Sequence, residues 1–299
     1  MRAFGIGAIF LGASIGCASA QVSVEVVQDQ QEFLEGEALP VAVRVTNRSG
    51  QALRLGAEAD WLTFEIENQD GRMVIKNGDT PVVGEFVLES SKVAVKHVDL
   101  EPYFLLGEPG RYDVRATVRI KNWGRELTSQ PLAFNIIEGT KLCELEVGLP
   151  PAPGVTNSLP EVRHYILQQA NYLKTQLRLY LRVTDAYGKV FRVLPIGPMV
   201  SFGRPEPQVD KASNLHLLYQ YGPSSFSYTV FNPEGELLKR QTYDYVSSRP
   251  RLQVNENGTI SVLGGVRRMM SSDVPAAKPP LAPEQPPAAS KPVSKPDKE

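Results

Sequence analysis

From Val22 to about residue 138, apolar and polar positions alternate with a period of two, the pattern of strands with one face buried. Val22, Val24 and Val26 form one stripe. Val41, Val43 and Val45 alternate with Ala42, Arg44 and Thr46 and stop at Asn47-Arg-Ser-Gly50. Leu62, Phe64 and Ile66 follow, then Asn68-Gln-Asp-Gly71. Phe86 and Leu88, then Val93 to Leu100, predict two more strands. Pro109-Gly-Arg-Tyr112 opens the clearest strand, with Tyr112, Val114, Ala116, Val118 and Ile120 inward and Asp113, Arg115, Thr117 and Arg119 outward; Phe134 and Ile136 close the set. Seven or eight short strands in this span predict a β-sandwich over 21–138.

A second pattern begins at about residue 159. Asp185-Ala-Tyr-Gly188, Asn232-Pro-Glu-Gly235 and Asn255-Glu-Asn-Gly258 each stand between β-branched or aromatic runs. Asx in first place accepts backbone hydrogen bonds and Gly in fourth takes the left-handed conformation, which predicts hairpins closed by type I turns with a bulge. The segment is also self-similar. At a shift of 45, Arg204-Pro205 falls on Arg249-Pro250, Gln208-Val209-Asp210 on Gln253-Val254-Asn255, and Leu215–Leu218 on Ile260–Leu263; the Gly-turn hairpins repeat at a shift of 47. The unit is a Pro-led hairpin followed by a Gly-turn hairpin, four strands resembling a propeller blade. Two and a half such units cannot close a ring, so the domain at 159–270 is expected to pack as a sandwich or partial propeller, with association between copies left open. Residues 159–181 show some helical spacing, but Leu177–Val183 alternates and the repeat runs through it, so the segment is read as β.

The remaining segments read differently. Residues 1–20 have a charged start at Arg2, a short apolar core and Ala18-Ser-Ala20 before Gln21, the pattern of a secretory leader. Acylation at Cys17 is the less favoured reading, because Ser14 stands where an aliphatic residue is usual. The linker at 139–158 contains the Pro-rich Gly148–Gly154, expected to be extended. Residues 271–299 hold eight prolines and no aromatic residue, and cannot bury enough apolar surface to offset ordering; a disordered tail is expected.

Charge excludes one class of partner. Without Arg2 the chain from Gln21 has 31 basic and 33 acidic side chains, so its net charge of −2 gives no general attraction to nucleic acid. No later segment approaches a membrane span. Beyond Cys17 there is a single cysteine, Cys143, on a face shared with Leu145 and Val147, which reads as a structural thiol and precludes an intrachain disulfide. An exported chain without disulfides suggests a bacterial envelope.

Catalytic motifs are missing: there is no Gly-x-Ser-x-Gly, His-Glu-x-x-His or Cys-x-x-Cys. His97, His164 and His216 are scattered, with His216 expected on an outer face, and neither a metal nor another cofactor is expected. Asp185, Asp210, Asp244 and Glu234 are carboxylates of loops or turns, and turn capping already gives Asp185 a role.

The Glu35-Gly-Glu37…Val41-x-Val43-x-Val45-x-Asn47 pattern with Pro109-Gly-Arg-Tyr112-x-Val114 resembles bacterial immunoglobulin-like modules of exported proteins, including sandwich domains similar to a proteinase inhibitor. That resemblance covers the first domain only and implies a tyrosine packed at a strand corner and no catalytic residues. The second domain looks like one associated with uncharacterised exported bacterial proteins. It is the richer in tyrosine, with nine of the eleven. Tyr219, Tyr221, Tyr243 and Tyr245 are the candidate binding residues, Tyr243 and Tyr245 sharing one face by alternation, with Arg249 and Arg251 as a basic rim that Arg240, Arg267 and Arg268 could extend. These readings point to an exported, non-enzymatic binding or adaptor protein, periplasmic or secreted, acting through protein–protein contacts. A carbohydrate-binding or carbohydrate-active protein is the alternative, and a proteinase inhibitor the third. The expected partner is an envelope protein or a glycan.

Overall fold

The alternating segments become strands, and the architecture is all-β. The computed structural model describes residues 21–149, 161–172 and 176–274. The predicted leader, the Pro-rich hinge from 150 and the tail from 275 lie outside these residues. By contacts the described chain forms two compact units. The first runs to residue 140 and takes in residues 170–172 and 193–195, short stretches of two strands whose other residues belong to the second; the second comprises the rest.

The first unit carries β1 (Val22–Val27), β2 (Glu32–Leu34), β3 (Pro40–Asn47), β4 (Leu53–Leu55), β5 (Leu62–Asn68), β6 (Phe86–Leu88), β7 (Val93–Asp99), β8 (Gly110–Ile120), β9 (Arg125–Thr128) and β10 (Leu132–Ile137). One sheet has the order β1-β3-β7 and another β2-β10-β8-β5, with β9 also on β8 and β2 parallel to β10; β4 and β6 pair separately. Register sets valine on valine (Val24 opposite Val45, Val26 opposite Val43) and Phe64 on Ala116. The inward residues of both sheets join in one core that includes Val43, Phe64, Ile66, Val114 and Phe134. That alternation is the sequence's own, since successive strand side chains point to opposite faces. On β7, however, Val93 and Val95 point outward, and Ala94 and Val98 pack instead.

Trp61, Asn47 and Glu37, polar groups buried in this unit, have hydrogen-bond partners, as burial demands. Trp61 Nε1 donates to Val82 O at 2.8 Å, and Asn47 Nδ2 to Leu88 O at 2.9 Å. Glu37 is buried because its carboxylate accepts the Leu34 N–H at 2.8 Å and Gln30 Nε2 at 3.0 Å. Tyr112 Oη donates to Glu108 O at 2.7 Å, four residues upstream.

The second unit carries β11 (Thr140–Gly148), β12 (Val162–Tyr172), β13 (Gln176–Asp185), β14 (Val190–Pro198), β15 (Glu206–Val209), β16 (Leu215–Gln220), β17 (Ser225–Phe231), β18 (Leu237–Asp244), β19 (Arg251–Val254), β20 (Ile260–Leu263) and β21 (Val266–Arg268). The sheets are β11-β12-β13-β14, β15-β16-β17-β18-β21 and the hairpin β19-β20. Two boundaries differ from the reading of the sequence. Residues 140–148, expected as linker, form β11, because Leu142 to Val147 alternates enough to pair with β12. Paired backbone also passes 270: Val274 exchanges both backbone hydrogen bonds with Arg240.

One turn device recurs. In Asn68–Gly71, Asp185–Gly188, Asn232–Gly235 and Asn255–Gly258 the glycine N–H donates to the first residue's carbonyl, and the glycine φ lies between 74° and 84°. A further copy, Asp210-Lys-Ala-Ser213, has serine at the left-handed place, φ 63°. In all but the Asn255 turn, the Asx Oδ1 accepts the N–H groups two and four residues on.

The middle sheet of this unit is covered on both faces, and all six residues of β16 are buried. On one face Leu218, Phe226, Tyr228 and Val230 pack against Leu252 and Ile260 of the β19–β20 hairpin. On the other, Tyr165 Oη donates to Ser213 O at 2.7 Å and Arg240 Nη2 to Ile196 O at 3.4 Å.

Candidate functional site

The segments leading into β15 and β19 meet at an open groove lined by Phe202, Arg204, Pro205, Glu206, Ser248, Arg249, Arg251, Leu263 and Gly264. Two of these arginines occupy equivalent places in the repeat: Arg204-Pro205 precedes β15 as Arg249-Pro250 precedes β19. A single carboxylate lies among them. Glu206 Oε2 accepts the Leu252 N–H at 3.3 Å and so ties β19 to β15. Arg204, Arg249 and Arg251 are exposed, and none has a carboxylate partner among the described residues. The Arg249 guanidinium lies over the Phe226 ring at 5.4 Å, a cation–π contact that leaves its N–H groups available at the edge. Phe202 is 76% exposed at the mouth. The arrangement gathers positive charge beside bare apolar surface.

Of the predicted rim, Arg249 and Arg251 meet in this groove. The others do not join it. Arg267 pairs with Asp273 at 3.7 Å, Arg268 with Asp244 at 3.3 Å, and Arg240 is partly buried. Arg204 was missed, although its alignment with Arg249 in the 45-residue repeat was a signal that could have found it.

The predicted tyrosine face does not form. Tyr219 is buried at 4% exposure, its phenol facing Ile196 O at 3.5 Å, and burial raises its pKa. Tyr243 stands opposite Phe226 and packs on the core shared with the hairpin. Alternation fails for its neighbour because β18 ends at Asp244, and Tyr245 leaves the sheet half-exposed. Tyr221 accepts from Arg268 Nη2 at 3.0 Å. Aromatic residues here fill a β core, as their strand propensity favours. Tyr219→Ala should therefore cost about 3 kcal/mol of stability, whereas Tyr245→Ala should leave the thermal midpoint within about 2 °C. Paired melts of the two variants check the assignment, and equal losses would overturn it.

His216, expected on an outer face, is 8% exposed beneath the hairpin, because both ring nitrogens have partners there. Nδ1 lies 2.7 Å from Tyr228 Oη and Nε2 3.0 Å from Asp210 Oδ2. Burial, with Tyr243 and Asp210 nearby, pushes the Tyr228 phenol up to about 12, so it keeps its proton. Asp210, as a carboxylate, only accepts, so Nε2–H donates to it, and in the neutral ring Nδ1 then accepts the Tyr228 O–H. Asp210 also takes Ala212 N–H, Asn214 N–H and Asn214 Nδ2. This Asp–His–Tyr chain closes the β15–β16 turn and lines no part of the groove. Elsewhere, His164 meets Glu144 at 2.7 Å, and Cys143 is a free, half-buried thiol whose pKa burial raises. Among the described residues no three His, Cys, Asp or Glu side chains converge as metal ligands, and no helix is long and apolar enough to cross a membrane.

The class defined here is an all-β protein of several sheets in two compact units with an arginine-lined groove on the second. No protein-family model and no curated protein sequence matches the chain. Among solved structures, the sporulation control protein Spo0M of Bacillus subtilis is similar at 10% identity over 57% of this chain and 83% of that one, with a TM-score of 0.29. Nothing of that protein's is carried over at this level of likeness.

Proposed function

We propose that the chain is an exported, non-enzymatic binding or adaptor protein of a bacterial envelope, with an immunoglobulin-like first unit and a blade-like second unit that engages a partner protein at the arginine groove. The observation that carries this reading is the convergence of Arg204, Arg249 and Arg251, exposed and without carboxylate partners among the described residues, beside the bare Phe202 ring. Exposed guanidiniums and aromatic rings gathered in one concavity are what anchors an interface, whereas an arginine serving solubility alone would gain from a neighbouring carboxylate. The leader-like 1–20 segment supports export. Binding of a glycan is the second reading, favoured by the same exposed Phe202 ring as a stacking platform.

A photo-crosslinking residue at Phe202, in full-length chain expressed in its native envelope, should give a discrete protein adduct. Arg249→Glu with Arg251→Glu should abolish that adduct while leaving the melting temperature unchanged. Absence of any adduct, or one indifferent to the charge reversals, would sink the groove as the binding surface.

A further inference from the structure

The groove's polar lining decides what class of ligand it can satisfy; this step rests on the binding role proposed above. Side-chain acceptors are outnumbered by donors: the lining has one carboxylate, Glu206, whose Oε2 accepts the Leu252 N–H, and one hydroxyl, Ser248, whose Oγ accepts the Gly265 N–H at 3.2 Å. Against them stand three guanidiniums, each with five N–H donors and no acceptor. A sugar hydroxyl both donates and accepts, so a glycan finds few acceptors here against three guanidiniums and matches the lining less well than a ligand that only accepts. An ionised carboxylate only accepts, and meets a guanidinium through two parallel hydrogen bonds.

The apolar lining adds a second requirement. Phe202, Pro205 and Leu263 lie among the arginines, and Phe202 and Leu263 are 76% and 43% exposed. A small inorganic anion would leave this surface wet, whereas a side chain carried beside the carboxylates would cover it. The repeat explains why there is more than one anion position: Arg204 and Arg249 lead equivalent strands, and Arg251 begins β19 itself. We infer that the groove binds an acidic peptide segment of a partner protein, one presenting at least two Asp or Glu side chains next to an aromatic or aliphatic one. The carboxylates pair with Arg204, Arg249 and Arg251, and the apolar side chain lies on Phe202 and Leu263. Glu206 opposes such a ligand by charge and holds β19 by its hydrogen bond, so its two effects can be separated by an isosteric amide.

The test uses the full chain and a fluorescent ten-residue peptide of Glu, Asp and Phe. Its Gln/Asn counterpart and an oligogalacturonate of similar charge serve as rivals. The acidic peptide should bind, and each of Arg249→Ala and Arg251→Ala should weaken it about tenfold, with Arg249→Lys in between because a point charge replaces the fork. Glu206→Gln should tighten binding severalfold, since the amide oxygen still accepts the Leu252 N–H while the repelling charge is gone. A merely structural role for these residues would not move affinity in opposite directions at constant melting temperature. Equal binding of the neutral peptide, preference for the oligogalacturonate, or indifference to the arginine substitutions would overturn the acidic-peptide assignment. If crosslinking at Phe202 still captures a partner in that case, the binding role stands and only the ligand class falls; if it captures nothing, both fall.

Discussion

Gly56→Ala should unfold the first unit about 10 °C or more below the wild type. Gly56 follows β4 at φ 85°, where an L side chain is strained. A Cβ there would stand 2.2 Å from Gly84 O and 2.9 Å from Gly84 C, both main-chain atoms on the segment leading into β6. Neither can move without parting Leu55 from Phe86, the last pair of the β4–β6 ladder. Left-handed strain alone costs on the order of 1 kcal/mol. The clash adds to it, for a total of roughly 3 kcal/mol, and each kcal/mol is worth about 4 °C in a unit of this size. Gly71→Ala supplies the comparison: its φ is 74°, but a Cβ would meet nothing within 4 Å, so strain is its whole cost. Calorimetry of both variants in the full chain separates close approach from conformation. Similar midpoints would show that the chains do not cross as tightly as they stand.

Asp210→Ala should remove about 3 kcal/mol at neutral pH, because the carboxylate's four hydrogen bonds include one from the buried His216 ring. Asp185→Ala, which takes away an Asx group bonded only to the Tyr187 and Lys189 backbone, should cost about 1 kcal/mol. The pH dependence follows from the same contacts. Burial would raise the Asp210 carboxyl, but hydrogen bonds from Asn214 and His216 outweigh it and hold the group below its ordinary value. A lowered folded-state pKa means the stabilisation is complete above the unfolded carboxylate's value, about 3.9, and is lost as pH falls through the lower folded value. The gap between wild type and Asp210→Ala should thus persist from pH 7 to 5 and narrow below about 3.9. Urea titrations at pH 7, 5 and 3 measure it; a gap as wide at pH 3 would assign the loss to something other than the charge.

Much of the fold is legible because side-chain periodicity and burial are the same fact in a half-buried strand. Tyr112 to Ile120 alternates without interruption, and every inward residue is buried. The short strands β2 and β4 are fixed as strands by their pairing with β10 and β6. The Asp210 turn escaped because serine, not glycine, holds its left-handed position. Composition did not single out the groove: it drew attention to tyrosines, of which Tyr219 lies in β16, whose six residues are all buried. What was visible was the 45-residue repeat, which places Arg204 and Arg249 alike before Pro-led strands. Their convergence depends on how the β19–β20 hairpin folds onto the neighbouring sheet, and that is a tertiary event no local pattern encodes.

The hairpin has a thermodynamic consequence of its own. β19 and β20 pair only with each other among the named strands, and they rest on the sheet through Leu252, Ile260 and Val262 with the Glu206 tie beside them. Two strands with both edges unpaired make the most readily opened unit of local structure. Arg251 and Leu263 stand on it, and Arg249 leads into it. Opening the hairpin would dismantle the groove while the five-stranded sheet persisted, so occupancy and local order are coupled by mass action. Slowed amide exchange confined to 251–263 would be the first sign that the groove is filled.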